Sequence, residues 1–331
     1  MPGSVIGIDL SGTRVIVVAL RDGRLGEPRV ERTDCSDTDA LIDQLAGLVE
    51  RMEMPDLQGV GVGVDRIVEH ETGRVIPSWR RPSPATNGSV TLPLDNVPLR
   101  ALLADRLGVD VVVDNHSSVA AYAEAHNDEC RLVTRHLAML TIGHAVGGGL
   151  VLDGRIYRGA TGGAAELGHT IVGLDLAGSV PAPMRFPQPG SLEFVASGHA
   201  LDGLAAQARN VHPLSELSRL RAEGKPVLGD AVIRAALDGD ESAARMIEIW
   251  GQRIGVGVAN AVNTFDPEEV VIGGYAARAG DLLLGPIVRV ARQYAVPGLA
   301  AGANIRLSRH GDRAGVLGAA LVARGEGGRS A

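Results

Sequence analysis

The chain has a single lysine, Lys225, and only two cysteines, Cys35 and Cys130, among its 331 residues. No GxxxxGK[ST] loop surrounds Lys225, so a nucleotide would have to be held by another kind of site. The cysteines lie far apart and neither belongs to a CxxC pair, which favours two buried free thiols over a disulfide.

A basic surface stripe and a long apolar run are also missing. The formal net charge is -7, and the arginines are scattered among acidic residues, which argues against a nucleic-acid partner. No apolar run is long enough to span a membrane, and the first residues lack the charged-then-apolar pattern of a secretion signal. We therefore expect a cytoplasmic protein with no membrane partner.

What the chain does contain is a hydrophobic content of 45% arranged in alternating strand and helix patterns. A strand-turn-strand pattern opens the chain in "VIGIDLSGTRVIVVALRDGRL", and a similar unit recurs in "HLAMLTIG" and "GGGLVLDGRIYRG". Helical spacing of apolar residues predicts helices in "DALIDQLAGLVERM" and "ESAARMIEIWGQRIGVGVANAVNTF". The pattern predicts an α/β protein of two related lobes around a cleft, with ligand sites at strand ends.

The clearest strand end is "VVVDNHSSVAAYAEA", in which an apolar run ends in Asp114, Asn115 and His116 before a helix. Polar side chains at the end of a buried strand usually face a ligand. Asp114 is expected to point to the opposite face from its neighbour, because successive side chains alternate along a strand.

In their order, the segments "IGIDLSGTRV", "DNHSSVAAYAE", "LTIGHAVGGGLVLDG", "GGAAELGHTIV", "GSLEFVASGHAL" and "DPEEVVIGGYAARAG" resemble the ROK family of bacterial sugar kinases and sugar-responsive repressors. The resemblance covers Val5 to about Ala323 and implies the two-lobe actin/hexokinase-like (RNase H-like) ATPase fold. It implies a small lobe of residues 1–118 completed by a C-terminal helix at 312–324, a larger lobe of residues 119–311, and a disordered tail at 325–331.

On the nucleotide side, the resemblance implies ATP and Mg²⁺ as cofactors. Asp9 would belong to the magnesium shell, because a carboxylate suits that ion. The residues implied for the nucleotide and its phosphates are Gly12, Thr13, His144, Gly147, Gly273 and Gly274.

Both phosphate loops depart from the family pattern. Ser11 replaces a glycine in the first loop, and His144 and Ala145 replace smaller residues in the second. Since alanine does not readily adopt positive φ, phosphate binding at the second loop is the less expected of the two.

On the sugar side, the resemblance implies that Asn115, Glu166, His169 and Glu193 bind hydroxyl groups. Carboxylates and amides that converge on one place suit a polyol. Glu166 and His169 are three residues apart, a spacing that places both on one face of a helix.

The structural zinc site of the family is expected to be lost. Met184, Phe186 and Ser191 occupy the positions of the cysteines, and a zinc site of that kind requires thiolates.

At the position of the family's catalytic aspartate the chain has His116. Histidine can act as a general base, since its ordinary pKa is about 6.5. Asp65 and Arg66 align with a Pro-Gly pair that normally lies against the sugar, and we expect them to contact the substrate. Together with His116 and His144 they would also suit an anionic ligand, so decay of the site and altered chemistry both remain open.

The leading hypothesis is an ATP-dependent kinase acting on a hydroxyl of a sugar, amino sugar or cyclitol, with His116 as the base, and the resemblance implies a homodimer. The alternative is a non-kinase member of the family: a sugar-binding pseudokinase, or an enzyme that uses His116 and His144 on a sugar phosphate or acidic sugar. A repressor is less expected, because the phosphate hairpin begins within a few residues of Met1 and the charge is acidic.

Overall fold

The computed structural model describes residues 4–77, 91–175, 186–208 and 215–325. The chain forms two compact units, which we name unit 1 and unit 2. Unit 1 comprises Met1–Leu137, Gly149–Ala165 and Asp312–Ala331, and unit 2 comprises Ala138–Gly148 and Glu166–Gly311. The lobe boundaries implied by the family resemblance stay a prediction, because compact packing alone does not delimit lobes.

The elements of the described residues follow in chain order. The strands are β1 (Ser4–Leu10), β2 (Arg14–Arg21), β3 (Arg24–Leu25), β4 (Arg29–Arg32), β5 (Leu57–Val64), β6 (Val68–Glu69), β7 (Arg74–Val75), β8 (Asp110–Asn115), β9 (Leu137–Ile142), β10 (Val146–Leu152), β11 (Arg155–Ile156), β12 (Glu269–Gly273) and β13 (Asn304–Leu307). The α-helices are α1 (Thr38–Glu50), α2 (Leu99–Leu107), α3 (His116–Glu124), α4 (Leu192–Ala196), α5 (Gly198–Gln207), α6 (Glu216–Ala222), α7 (Gly229–Leu237), α8 (Glu241–Phe265), α9 (Asp281–Tyr294), α10 (Pro297–Gly302) and α11 (Ala314–Ala323).

The sheet of unit 1 has the strand order β3-β2-β1-β5-β8, and β4 also pairs with β2. Strands β1 and β2 form the antiparallel hairpin that the sequence predicts, whereas β1, β5 and β8 run parallel. Strands β1 and β5 are rich in valine and isoleucine and are almost wholly buried, as expected for strands covered on both faces, whereas β8 at the edge of the sheet is buried at only some positions.

Helix α11 packs against β1, β5 and α3 at very short backbone distances. A Cβ atom at Gly7 would lie 2.1 Å from the carbonyl oxygen of Val316, and one at Gly61 would lie 1.8 Å from that of Ala319. Glycine is therefore required at both strand positions for the helix to lie against the sheet. The helix is buried along almost its whole length.

The second sheet has the strand order β11-β10-β9-β12-β13. In unit 2, the long helix α8 packs along α9 and α4. Trp250 of α8 is completely buried, and its indole N–H donates to the carbonyl oxygen of Ala196 at 2.8 Å. This bond satisfies the one polar group of the largest side chain in the core of unit 2.

Several predictions from periodicity are confirmed, among them β1, β2, β8 and α8. The segment predicted as a disordered tail lies, apart from Gly325, outside the described residues. Both cysteines are free as predicted, but only Cys130 is buried and Cys35 is partly accessible. Within the residues that the structure describes, no helix combines the length and apolar character needed to cross a bilayer.

Candidate functional site

Polar side chains gather at the carboxyl ends of three neighbouring strands of unit 1. The last residues of β1, β5 and β8 lie side by side in the sheet. Asp9 precedes this level by one residue, and Asp65 and His116 follow it by one residue. The amide of Asp65 donates to the carbonyl oxygen of Leu10 at 3.1 Å, which fixes the start of its loop against β1. Such a strand-end edge is where open α/β sheets usually bind ligands.

The imidazole of His116 lies between two carboxylates. Its Nδ1 is 3.7 Å from Oδ1 of Asp9, and its Nε2 is 3.9 Å from Oδ1 of Asp65. Burial alone lowers the pKa of His116, but the two carboxylates outweigh burial and raise its pKa to about 9. The positive end of α3 opposes the proton by ~0.3–1 kcal/mol, less than one pKa unit. The pKa of His116 therefore lies above the ordinary value of histidine, and the imidazolium form is favoured at neutral pH.

The tip of the first hairpin is tied back through its carbonyl groups. The hydroxyl of Thr33 donates to the carbonyl oxygen of Ser11 at 2.7 Å, and the amide of Thr33 donates to the carbonyl oxygen of Thr13 at 3.4 Å. The thiol of Cys35 donates to the carbonyl of Gly12 at 3.5 Å. No described residue accepts a hydrogen bond from the amide of Gly12 or Thr13. The tip therefore keeps two main-chain donors for an anion.

The serine in this tip does not disturb its geometry. Ser11 is not among the described residues with positive φ, so the position does not require the glycine that the family pattern has there. Its hydroxyl instead accepts from the amide of Arg14 at 3.2 Å and stabilises the turn.

The side chain of Asn115 caps a helix and holds a neighbouring loop. Its Oδ1 caps α3 by accepting from the amides of Ser117 and Ser118 at 2.9 and 3.1 Å. Its Nδ2 donates to the carbonyl oxygen of Arg66 at 3.1 Å. One Nδ2 hydrogen then remains for a substrate, so the predicted binding role of Asn115 rests on a single donor.

Arg66 lies beside this cap. Its Nη1 donates to the carbonyl oxygen of Asp65 at 2.6 Å, whereas its buried Nε has no hydrogen-bond partner among the described residues. The guanidinium group thus stays close to the strand ends, and its contact with a substrate stays a prediction.

Asp114 is bound to Arg158, a residue that the sequence analysis missed. Nε and Nη2 of Arg158 each donate to Oδ2 of Asp114 at 2.8 Å. The exposed fractions of the two side chains are 12% and 5%, and Oδ1 of Asp114 accepts from the amide of Asn115 at 2.8 Å. The carboxylate is therefore engaged, in agreement with the expectation that Asp114 does not replace the missing base. The two residues are 44 positions apart in the sequence, and no local sequence pattern predicts that they pair.

In unit 2, Glu166 and His169 come together as their spacing suggests. Nε2 of His169 is 3.7 Å from Oε2 of Glu166. The local structure is a short 3₁₀ turn, Leu167–His169, and not the predicted helical face. A Cβ at Gly168 would lie 2.1 Å from the carbonyl oxygen of Val146, so glycine allows this turn to lie against β10.

Of the three residues at the cysteine positions, Met184 lies outside the described residues. The ring of Phe186 contacts the ring of His169 edge-on, with centroids 5.3 Å apart. Ser191 is buried and caps α4 by accepting from the amide of Phe194 at 3.3 Å. An aromatic contact and a helix cap thus occupy two positions where the family has thiolates, and the loss of zinc stays a prediction.

Glu193 is only 3% exposed, and its Oε2 accepts from the amide of Val146 at 2.9 Å. This bond joins α4 to the first residue of β10. One carboxylate oxygen is thus committed to the backbone, and the predicted sugar contact stays a prediction.

The second phosphate loop turns without strain. Neither His144 nor Ala145 is among the described residues with positive φ, so the objection drawn from Ala145 is wrong. Gly143 donates to the carbonyl oxygen of Ala145 at 2.9 Å, and Gly147 is the second residue of β10. The ring of His144 lies 5.4 Å from that of His199, another residue that the sequence analysis missed.

Gly273 ends β12, and Gly274 turns the chain with φ of 75°. A Cβ at Gly274 would lie 2.6 Å from the carbonyl oxygen of Ile142, so no other residue fits there. Tyr275 follows, and burial together with the carboxylate of Asp230 raises its pKa, so that its phenol stays protonated.

Comparison with known proteins agrees with this arrangement. A model of the ROK family matches residues 5–326. The glucokinase of Halalkalibacterium halodurans is 29% identical over 95% of this chain and 92% of that protein. The xylose repressor of Caldicellulosiruptor bescii is 29% identical over 96% of this chain and 77% of that protein.

A solved ROK family glucokinase from Streptomyces griseus, in complex with glucose and AMPPNP, has the same fold. The two structures align with a TM-score of 0.76 and 26% identity, over 98% of this chain and 100% of the glucokinase. The predicted actin/hexokinase-like fold is confirmed.

Proposed function

The chain belongs to the ROK family, and from this premise we propose that it is an ATP-dependent kinase that phosphorylates a hydroxyl of a sugar, amino sugar or cyclitol. The glucokinase relative supports the reaction class, and the solved glucokinase with glucose and AMPPNP supports a sugar acceptor and a nucleotide donor.

The observation that carries the proposal is the first hairpin together with Asp9. Thr33 and Cys35 donate hydrogen bonds to carbonyl groups at the tip of the hairpin, while the amides of Gly12 and Thr13 have no acceptor among the described residues. Amides held in one direction favour phosphate oxygens, because no reorganisation is needed when the anion arrives.

Asp9 suits a magnesium ion. Its Oδ1 is buried and makes no hydrogen bond to a described residue, and an oxygen in that state is available as a ligand for a hard cation. When bound, magnesium-ATP supplies the phosphoryl group and neutralises charge that develops on it. Asp9 would orient the ion, and the hairpin amides would hold the phosphates.

His116 is the proposed proton acceptor for the attacking hydroxyl. At its pKa of about 9, only about one molecule in a hundred carries the neutral imidazole at pH 7. His116 shares the carboxylate of Asp9 with any cation bound there, and the loss of that partner lowers the pKa of His116 toward neutrality. The same residue would also place positive charge beside the transferred group while it is protonated.

Two of the residues proposed for the acceptor also hold the backbone. Glu193 and Asn115 each use part of their side chain in this way. We therefore expect Glu166 and His169 to determine acceptor affinity, and Glu193 and Asn115 to affect both affinity and stability.

The test is a coupled assay in which the purified protein and magnesium-ATP are offered a broad panel of hexoses, amino sugars and cyclitols. Phosphorylation of one class, together with its loss in Asp9→Asn, supports the proposal. The matched control is Asp153→Asn, which removes an exposed carboxylate that also pairs with a histidine, at 3.7 Å. If no acceptor is phosphorylated at any pH between 6 and 9, the proposal is wrong.

The raised pKa of His116 favours a second candidate, a non-kinase member of the family that binds a sugar phosphate or an acidic sugar. An imidazolium between Asp9 and Asp65 leaves this strand end less negative than a third carboxylate would, which reduces the repulsion of an anionic ligand. Calorimetry with glucose 6-phosphate and gluconate, with magnesium-ATP omitted, distinguishes it from the kinase: this candidate predicts binding that His116→Gln abolishes.

A further inference from the structure

A cleft of about 500 Å³ in unit 2 lies apart from the residues predicted for the acceptor and the phosphates, none of which lines it. The cleft is bounded by residues of α4, α5 and α8 and by the segment before α4. Helix α4 separates it from Glu193, which accepts from the amide of Val146, whereas the next two residues, Phe194 and Val195, line the cleft. Its volume is sufficient for a small ligand of its own.

The walls of the cleft are held in place by hydrogen bonds. Helices α8 and α4 are joined by the indole bond described above, and also by Nη1 of Arg253, which donates to the carbonyl oxygen of Val195 at 3.1 Å. On the opposite wall, the amides of Val172 and Gly173 donate to the carbonyl oxygen of Gly190 at 2.8 and 3.1 Å. A ligand therefore meets walls that are already ordered, which reduces the entropic cost of binding.

Most of the lining is apolar. The side chains concerned are those of Val172, Phe194, Val195, Ala200, Leu204 and Val256. The side chain of Phe194 is 52% exposed, so a planar apolar group placed on its ring would remove apolar surface of both partners from water. At Gly203 of α5 an added Cβ would meet no atom within 4 Å, which shows that this part of the cleft is open space.

The charge of the cleft comes from Arg253. Its guanidinium group makes no ion pair with a described residue, and only its Nη1 is engaged. The other polar lining residues are Gln207 and His199, and Nδ1 of His199 is 3.5 Å from Oδ2 of Asp202. None of the described lining residues is acidic. A single guanidinium fork matches one carboxylate, whereas the nearby carboxylate of Asp202 disfavours an anion of higher charge.

We propose that this cleft binds a small aromatic carboxylate. The ring of the ligand lies against Phe194 and the apolar walls, and its carboxylate accepts hydrogen bonds from the guanidinium group of Arg253. The site does not depend on the proposed kinase function, because it uses none of the residues assigned to that function.

The experiment is a fluorescence titration of the full chain with naphthylacetate, repeated with its neutral counterpart naphthylacetamide. We expect the amide to bind at least about tenfold more weakly, the usual effect of losing a hydrogen bond between charged groups. Arg253→Gln should weaken binding of the acid by about the same factor and remove the difference between the two compounds. Arg253→Lys should fall between, because lysine keeps the charge but lacks the fork. The control is Arg245→Gln, which removes an exposed arginine of the same helix.

A second variant tests the place of binding without disturbing the bond between Arg253 and Val195. Gly203→Leu puts a side chain into the cleft and should abolish binding, while the melting temperature should not fall, because leucine is a better helix former than glycine. Its control is Gly298→Leu in α10, where an added Cβ also has no neighbour within 4 Å.

Three results would overturn the proposal: equal binding of acid and amide, unchanged binding in Gly203→Leu, or no binding of naphthylacetate, phenylacetate and benzoate. Each of them leaves the kinase standing, since the sugar panel is assayed without these compounds. Naphthylacetate binding that needs both Arg253 and the space beside Gly203, in a protein that phosphorylates no sugar, supports the cleft and contradicts the kinase.

Discussion

Replacing Asp65 by asparagine should lower the pKa of His116 in the ligand-free protein. Nε2 of His116 and Oδ1 of Asp65 are 3.9 Å apart, a distance at which two unit charges attract by about 1 kcal/mol in water and about 4 kcal/mol at an effective dielectric constant of 20. The side chain of Asp65 is 58% exposed, so the smaller figure applies. Since one pKa unit corresponds to about 1.4 kcal/mol, we expect a decrease of about one unit.

Asp9 should have the larger effect. Its side chain is only 19% exposed, and it lies 3.7 Å from Nδ1 of the same ring. Asp9→Asn should therefore bring the pKa of His116 well below the value in Asp65→Asn. In both variants the sign is the same, because the removal of a carboxylate destabilises the imidazolium form.

The assay is a proton NMR titration of the ring of His116, assigned by comparison with His116→Gln, between pH 5 and pH 10.5. In the unsubstituted protein the resonance should titrate near pH 9, and high salt should lower that midpoint. Asp153→Asn is the control and should leave it unchanged. A midpoint at or below 6.5, or the same midpoint in Asp65→Asn, would refute the reasoning.

Three predictions concern stability. Arg158→Met should lower the free energy of urea unfolding by about 3–5 kcal/mol, because it leaves the carboxylate of Asp114 buried without its partner. Adding Asp114→Asn should recover much of this loss. A loss below about 1 kcal/mol in Arg158→Met would contradict a stabilising role of the Arg158–Asp114 ion pair. Gly274→Ala should cost at least about twice as much as Gly108→Ala in thermal unfolding, since both glycines have positive φ but only Gly274 faces a carbonyl oxygen within 4 Å. Asn115→Ala should lose about 1 kcal/mol of stability through the helix cap, whereas Asn115→Ser should keep most of it; equal losses would show that the cap is not the cause.

The parts of the fold that the sequence predicts best are those with a strong local period. The quoted segment for α8 coincides with the helix observed, Glu241–Phe265, and Asp240 caps it by accepting from the amide of Ala243 at 2.8 Å. The first hairpin and β8 are predicted equally well, because in each an apolar run ends at a recognisable polar residue.

Contacts between distant segments could not be predicted in this way. Arg158 is one of many arginines in the sequence, and only the fold places it against Asp114. The pair of His144 and His199 is another such case, since the residues lie on separate elements that are far apart in the sequence. For Glu166 and His169, the spacing of three residues predicted correctly that the two side chains meet. It predicted the wrong backbone conformation, because side chains three residues apart also meet across a 3₁₀ turn.

The residues at the strand ends could be predicted in part. The family resemblance brings Asp65 and His116 to one place, but it does not reveal that the carboxylates of Asp9 and Asp65 lie on opposite sides of the imidazole. The charge of His116 depends on those two distances, so its departure from the ordinary pKa could be found only in three dimensions.

Helix α11 has a consequence for how the protein is made in the cell. Strands β1 and β5 are synthesised early, and their glycines allow close packing of α11. This helix leaves the ribosome only after all of unit 2 has been translated. Until then the nascent chain carries an open apolar face in unit 1, while unit 2 already has every one of its segments. Unit 2 can thus fold first although unit 1 begins the chain, and the early strands depend on protection from other apolar surfaces during that interval.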